Sequence, residues 1–259
     1  MPELPEVETY RRLAQGALGR TVAEVGAPDA WFLKGGLDAP AVRAALLGRR
    51  FTRARRLGKL LLLDTDDGPV LGLRFGMTGR LLVDGRAGVE DLVYASPRDV
   101  PAWDRFAVRF ADGGDLRLRD PRRLGGVLLD PDESRLGTDV TELTPGALRR
   151  ALESTVALKA RLMDQARIAG VGNLVADEAL WRAGLDPRRP AGSLDRAELR
   201  RLHRHLRRTV DDLIARGGSH TGDLAPARRP GGFCPRDGTP LQRATVGGRT
   251  TWWCPAHQR

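Results

Sequence analysis

The chain has 259 residues, enough for two core-bearing domains and a small appendage. Its 43 Lys and Arg outweigh 33 Asp and Glu for a formal charge of +10, which favours a polyanionic partner, either nucleic acid or an anionic membrane surface. No apolar run approaches the roughly 20 residues of a spanning helix, the opening is not signal-like, and two cysteines are too few for a disulfide scaffold, so the expectation is a soluble cytoplasmic protein.

After Pro5, the residues Val7, Tyr10, Ala14, Ala17 and Leu18 recur at helical spacing and predict an amphipathic helix almost at the chain start. From Phe51 to about Asp130 the pattern changes to short apolar runs, among them Leu60 to Leu63, Val70 to Phe75 and Leu81 to Val83, separated by Gly and Asp. These read as strands. Asp112-Gly113-Gly114-Asp115 parts Val108 and Phe110 from Leu116 and Leu118, which predicts a hairpin with one buried face and an antiparallel sandwich or barrel around it. Turn residues dominate from Pro131 to Asp139. Beyond them Leu199, Leu202, Leu206, Val210 and Leu213 mark a long helix that Gly217-Gly218 ends. The remainder, Ser219 to Arg259, is short of aliphatic residues and needs a metal or docking to stay folded.

Three local patterns carry chemistry. Removal of Met1 from Met1-Pro2-Glu3-Leu4-Pro5-Glu6 leaves a secondary amine on Pro2. An α-amino group titrates near 7.7 to 8.0, so a far larger share is neutral at physiological pH than for a lysine, and such an amine condenses with an aldehyde-level carbon to an iminium. Glu3 and Glu6 would supply a proton donor and an orienting charge; the plainer alternative is a helix start with acids complementing its dipole. Gly170-Val171-Gly172-Asn173 opens a second helical run, so its N–H groups suit a phosphate, with Asn173 as cap or phosphate ligand and Lys159 on the preceding stretch; a tight helix connection is the other reading. Cys234-Pro-Arg-Asp237 and Cys254-Pro-Ala-His257 stand sixteen residues apart, the spacing of a two-knuckle zinc hairpin with an unusual Asp and His in the set. A metal-free hairpin packed by Trp252 and Trp253 would satisfy the same pattern.

With these patterns in order, the sequence resembles the formamidopyrimidine-DNA glycosylase and endonuclease VIII family over its whole length. The matching motifs are Pro2-Glu3-Leu4-Pro5-Glu6-Val7-Glu8, a lysine-bearing strand from Arg56 to Leu61 with Lys59, Gly76-Met77-Thr78-Gly79, Asp120-Pro121-Arg122-Arg123, Gly170 to Asn173, and the final hairpin with Arg249. The resemblance implies an α+β multidomain fold: an N-terminal antiparallel β-sandwich with a flanking helix (1–130), a helix-two-turn-helix domain (140–222) and a C-terminal zinc-finger-like β-hairpin (229–259). Carried over by position, Pro2 is the Schiff-base nucleophile at the sugar C1′, Glu3 the acid that opens the deoxyribose ring and Glu6 a supporting carboxylate. Lys59, Lys159, Asn173 and Arg249 are implied phosphate clamps, with Lys59 and Arg249 also in the catalytic set. Met77 and Arg122 fill the void left by an extruded nucleotide, although Met77 could equally be core filler and Arg122 a solvated charge.

Three departures bear on specificity. Leu124 stands where many formamidopyrimidine glycosylases have an aromatic wedge, Arg74 where they have histidine, and Asp237 and His257 where they have cysteines. The segment from Gly217 to Phe233 is short for a loop that caps 8-oxoguanine. The resulting expectation is a monomeric bifunctional glycosylase and abasic-site lyase acting on damaged double- or single-stranded DNA, with one structural zinc and no membrane partner. Its lesion is expected to be something other than 8-oxoguanine, and the competing reading is a catalytically silent binder of damaged DNA.

Overall fold

Helix α1 (Leu4–Ala14) opens the chain, as its spacing predicts, in a computed structural model that describes residues 2–89, 92, 98 and 100–259. The chain divides into two compact units, residues 1–2 with 6–133 and residues 3–5 with 134–259.

The first unit is built from strands β1 (Val22–Gly26), β2 (Phe51–Leu57), β3 (Leu60–Thr65), β4 (Leu71–Arg74), β5 (Arg80–Val83), β6 (Arg86–Ala87), β7 (Asp104–Phe110), β8 (Asp115–Arg119) and β9 (Gly126–Leu129), with helix α2 (Ala39–Leu46). The named strands pair antiparallel, in a five-stranded sheet ordered β1-β7-β8-β5-β6 and a four-stranded sheet ordered β2-β3-β4-β9. Alternation decides which side chains go inward. Phe106, Val108 and Phe110 on β7 and Leu116 and Leu118 on β8 are buried, and Gly113, at φ 93°, turns the chain between them. Leu61, Leu63, Leu71 and Leu73 from the other sheet join them in one core with Val7, Tyr10 and Ala14 of α1. Each such side chain contributes about 1.5–3 kcal/mol on burial, so the sandwich is held chiefly by its apolar interior.

The second unit contains β10 (Thr138–Asp139), α3 (Pro145–Leu152), α4 (Leu158–Leu162), β11 (Ile168–Ala169), α5 (Asn173–Ala183) and α6 (Arg196–Ala215), then the hairpin β12 (Gln242–Val246) and β13 (Arg249–Trp253). Asp195 starts α6 with a capping box closed by Glu198, and Gly217, at φ 90°, follows its end. One face of α6 buries Leu202, Leu206, Val210 and Leu213 against a core that includes Val175, Ala176, Ala179 and Leu180 of α5, together with Leu4. Nearly all of α5 is buried, which is why its pattern shows little amphipathicity. Among the described residues no helix is long and apolar enough to cross a membrane.

Candidate functional site

Helix α5 begins without a cap of its own. Gly172 occupies the N-cap position with no side chain to offer, and Asn173, the first helical residue, does not cap it; among the described residues the Asn173 Oδ1 has no hydrogen-bond partner. The cap comes instead from the far end of the sequence. Both carboxylate oxygens of Glu3 accept backbone N–H bonds, from Leu174 at 2.9 Å and Val175 at 3.0 Å, where the helix dipole also favours negative charge. A Cβ at Gly172 would lie 2.1 Å from the Glu3 carboxyl carbon, so only glycine lets the carboxylate approach. Glu3 is 1% exposed, and the nucleophile candidate Pro2, its covalent neighbour, is buried too. Within the first unit, Glu6 is equally buried, and its charge adds to burial in pushing the Tyr10 phenol well above its usual range.

In the first unit two loops lie back to back. A Cβ at Gly76 (φ 56°) would fall 2.4 Å from the Leu124 carbonyl carbon, so the turn Gly76 to Gly79 packs directly on the loop 120–125. Asp120, fully buried, joins them: it accepts from the Thr78 hydroxyl, from Arg122 N at 3.1 Å and from Gly125 N at 2.8 Å. Arg123 adopts φ 58°, a strained conformation for a non-glycine residue, and its guanidinium grips Asp29 through two bonds of 2.6 Å, holding that carboxyl below the usual carboxylate range. This scaffold leaves Met77 half-buried, Arg122 exposed and Leu124 50% exposed. Three side chains of the right kind for insertion thus sit on one braced pair of loops. Arg74 is exposed at the end of β4, and Lys59 is half-buried on the two-residue turn between β2 and β3.

Lys159 departs from expectation. A phosphate clamp must reach solvent, whereas Lys159 is 0% exposed, its ammonium 2.7 Å from Asp177 Oδ1, 2.7 Å from the Thr251 hydroxyl and 3.1 Å from the Thr250 carbonyl. Burial pushes its pKa down, and Asp177 acts against that. Asp177 Oδ2 also receives Arg228 at 2.7 Å. The lysine therefore fastens α4 and α5 to strand β13. It does not face outward. The same hairpin carries Arg249, exposed just after the Gly247-Gly248 turn, whose residues at φ 56° and 72° suit the twist of a two-residue hairpin.

At the other end of this hairpin Cys234, Asp237, Cys254 and His257 bring one ligand atom each to within 4.8 Å of one another. His257 Nδ1 lies 2.8 Å from Asp237 and 3.8 Å from Cys234 Sγ, while its Nε2 lies 3.2 Å from the Trp181 carbonyl. That carbonyl can only accept, so Nε2 carries a proton and Nδ1 is turned toward the cluster, as metal-binding imidazoles are commonly oriented. The Cys234 sulfur accepts from Trp181 Nε1 at 3.3 Å and from Arg236 N at 3.4 Å, contacts that suit a thiolate. Bonds from Thr239 and then His257 hold Asp237 far below the usual carboxylate range, and burial pushes the Cys254 thiol up in the absence of a cation. Two sulfurs, a carboxylate and an imidazole converging in this way fit one tetrahedral divalent metal.

Two family descriptions fit this chain: the formamidopyrimidine-DNA glycosylase N-terminal domain over residues 1–127 and the formamidopyrimidine-DNA glycosylase H2TH domain over residues 136–224. The formamidopyrimidine-DNA glycosylases of Thermus thermophilus and of a Nocardioides species are 37% and 34% identical across 100% of this chain, covering 98% and 94% of their own lengths. The chain belongs to the formamidopyrimidine-DNA glycosylase family. A Lactococcus lactis glycosylase solved in complex with abasic-site DNA superposes with a TM-score of 0.83 at 25% identity, covering 99% of both chains. A second Lactococcus lactis complex, containing THF-DNA and an inhibitor, gives 0.84 at 26% over the full length of both.

Sequence reasoning about this member of the glycosylase family passed over the groups that brace the site. Asp120 and Asp177 were legible as carboxylates on segments that are otherwise apolar or turn-forming, the usual sign of an acid with a fixed partner. Trp31 was also missed. It is 67% exposed, with the Lys34 ammonium 5.0 Å from its ring, beside an open cavity of about 480 Å³ that Asp29, Arg105 and Arg123 also line.

Proposed function

We propose that the chain is a base-excision DNA glycosylase and abasic-site lyase whose nucleophile is the Pro2 amine. The observation that carries the reading is the Glu3 carboxylate, one residue from that amine, fixed by two N–H bonds at the start of α5. In the reaction, the Pro2 nitrogen forms a bond to C1′ of the damaged nucleotide as the glycosidic bond breaks and the base leaves with a proton. Glu3 exchanges a proton with the sugar ring oxygen, which opens the ring and leaves a cationic iminium. Loss of a proton from C2′ then expels the 3′ phosphate, and a second elimination expels the 5′ phosphate. Extrusion of the nucleotide costs a few kcal/mol, which Met77, Arg122 and Leu124 would offset by filling the gap. Asn173, Lys59, Arg74 and Arg249 would hold the backbone, and Glu6 would orient the amine.

The protein would work as a cytoplasmic monomer in three functional modules, residues 1–130, 140–222 and 229–259. Leu124 offers less stacking area than an aromatic ring, and only short turns, at Ser219–Thr221 and Ala225–Ala227, occupy the segment after α6. Both features support lesions other than 8-oxoguanine. The deciding experiment is borohydride reduction on an abasic duplex, where a covalent adduct at Pro2 identified by mass spectrometry is expected. DNA binding with no adduct would establish the silent-binder reading instead.

The metal of the hairpin would be one zinc per chain, held by Cys234, Asp237, Cys254 and His257. Its role is to fold the segment that presents Arg249, away from the bond-breaking steps. Elemental analysis is expected to find about one zinc per chain, with chelation lowering both the melting temperature and strand cleavage. Purified protein free of zinc, with its melt and activity unaffected by chelator, would refute this assignment.

A further inference from the structure

Many arginines of this chain are neutralised where they stand. Arg20 and Arg55 each grip two carboxylates, Arg182 grips three, and Arg189 is paired with Glu198. Helix α6 is different. Arg196, Arg200, Arg204, Arg207 and Arg208 all lie in its outward-facing sequence positions, Arg207 half-buried and the other four exposed. Among the described residues no carboxylate forms an ion pair with any of the five. At 100° per residue they occupy an arc of about 120°, and at 1.5 Å rise they extend about 18 Å along the helix. Asp211 lies in the same arc at its C-terminal end and, among the described residues, makes no ion pair.

This arrangement costs helix stability. The spacings 196/200, 200/204 and 204/208 are like-charge i,i+4 pairs, each unfavourable by about 0.2–0.5 kcal/mol, and Arg196 sits at the positive end of the helix dipole. The field is felt locally: after burial, Arg204 and Arg208 are the next causes holding the His205 pKa below its usual value. The buried face of α6 needs only Leu202, Leu206, Val210 and Leu213, so packing does not explain the arginines. A regularly spaced polyanion would relieve the repulsion, and guanidinium is the side chain best matched to phosphate oxygens.

We propose that this face of α6 is a second, sequence-independent contact for the phosphate backbone of duplex DNA, separate from the groups that handle the lesion. The proposal rests on the DNA-repair reading and extends it to undamaged duplex. Binding of the full chain to an undamaged 30-base-pair duplex is measured across a salt series for wild type, for an Arg200→Gln/Arg204→Gln/Arg207→Gln/Arg208→Gln variant, and for the corresponding Lys variant. Each phosphate contact contributes about 0.9 to the slope of log K against log salt, so the four-site Gln variant is expected to lose about 3.6 from that slope and at least about tenfold in affinity at low salt. The Lys variant keeps the slope, because charge and not shape sets it. A melting temperature for the Gln variant equal to or above wild type shows that the loss is not unfolding. Equal slopes for wild type and the Gln variant, or loss in the Lys variant as large as in the Gln variant, would overturn the proposal. If wild type itself neither binds duplex nor gives a borohydride adduct, the DNA-repair reading fails; if it does both and the Gln variant binds equally well, only the α6 surface fails.

Discussion

A Pro2→Gly protein is expected to form the borohydride-trapped adduct on abasic DNA about 10²–10³-fold more slowly than wild type, a loss of about 3–4 kcal/mol in transition-state stabilisation. Glycine retains a terminal amine of ordinary basicity, so the change isolates two properties of proline. A secondary amine condenses directly to a permanently cationic iminium, whereas a primary amine gives an imine that must be protonated before it withdraws electrons. The ring also ties the nitrogen back to its own Cα through the side chain, which restricts the directions in which its lone pair can point. Two companions sharpen the result. Protein that keeps Met1 has an amide at Pro2 and is expected to show no adduct at all. Glu3→Gln is expected to lose base release while still trapping on a pre-formed abasic aldehyde, because that sugar is already open. An adduct of wild-type yield in Met1-blocked protein would end the case for Pro2.

Lys159→Met should destabilise the protein by about 3 kcal/mol, and by up to about 5 if Arg228 does not shift to compensate, because it strands the Asp177 carboxylate in an interior from which water is excluded. Asp177 is 1% exposed and Lys159 fully buried, so neither charge can recover its hydration. The double variant Lys159→Met/Asp177→Leu should regain part of the loss, although Arg228 then loses its partner. Urea titration of the three proteins measures this directly. The contrast with a surface clamp is sharp: removing one phosphate contact leaves the melt alone and reduces the salt slope by about one. A Lys159→Met protein with unaltered stability and a flatter salt slope would restore the clamp role and sink the buried-pair reading. Thr250 and Thr251 accept from the same ammonium, so weaker DNA binding should accompany the lost stability as the Arg249 hairpin loosens.

The parts legible from sequence were those governed by short-range rules. Gly113 and its neighbours announced the β7–β8 hairpin, the leucine spacing announced α6, and the paired Cys-x-x motifs announced the four side chains that converge in the C-terminal cluster. Arg122 and Leu124 fall on a loop, as Asp-Pro-Arg-Arg favours, whereas Lys59, expected on a strand, lies with Gly58 (φ 57°) on the tight turn that parts that run into β2 and β3. What sequence could not supply were partners distant along the chain. Nothing near Lys159 marks it as internal, since Asp177 lies on another helix and Thr251 on a strand 92 residues away. A lone lysine is usually at the surface, and only the match of a specific carboxylate reverses that. The cap of α5 is the same problem in stronger form: Gly172 looked like part of a phosphate turn, and the N–H groups of Leu174 and Val175 just beyond it are already engaged by Glu3.

That long-range cap has a consequence for biosynthesis. Glu3 leaves the ribosome first, but Leu174 and Val175 follow 171 and 172 residues later. At about 5–20 residues per second the gap is on the order of 10–30 s. Throughout that interval Glu3 lacks the two N–H donors that fix it, and a polysome-bound fragment ending before α5 would carry the Pro2 amine without a positioned acid for base release. On the proposed mechanism, the timing of translation thus withholds acid-assisted base release until the second unit has been made.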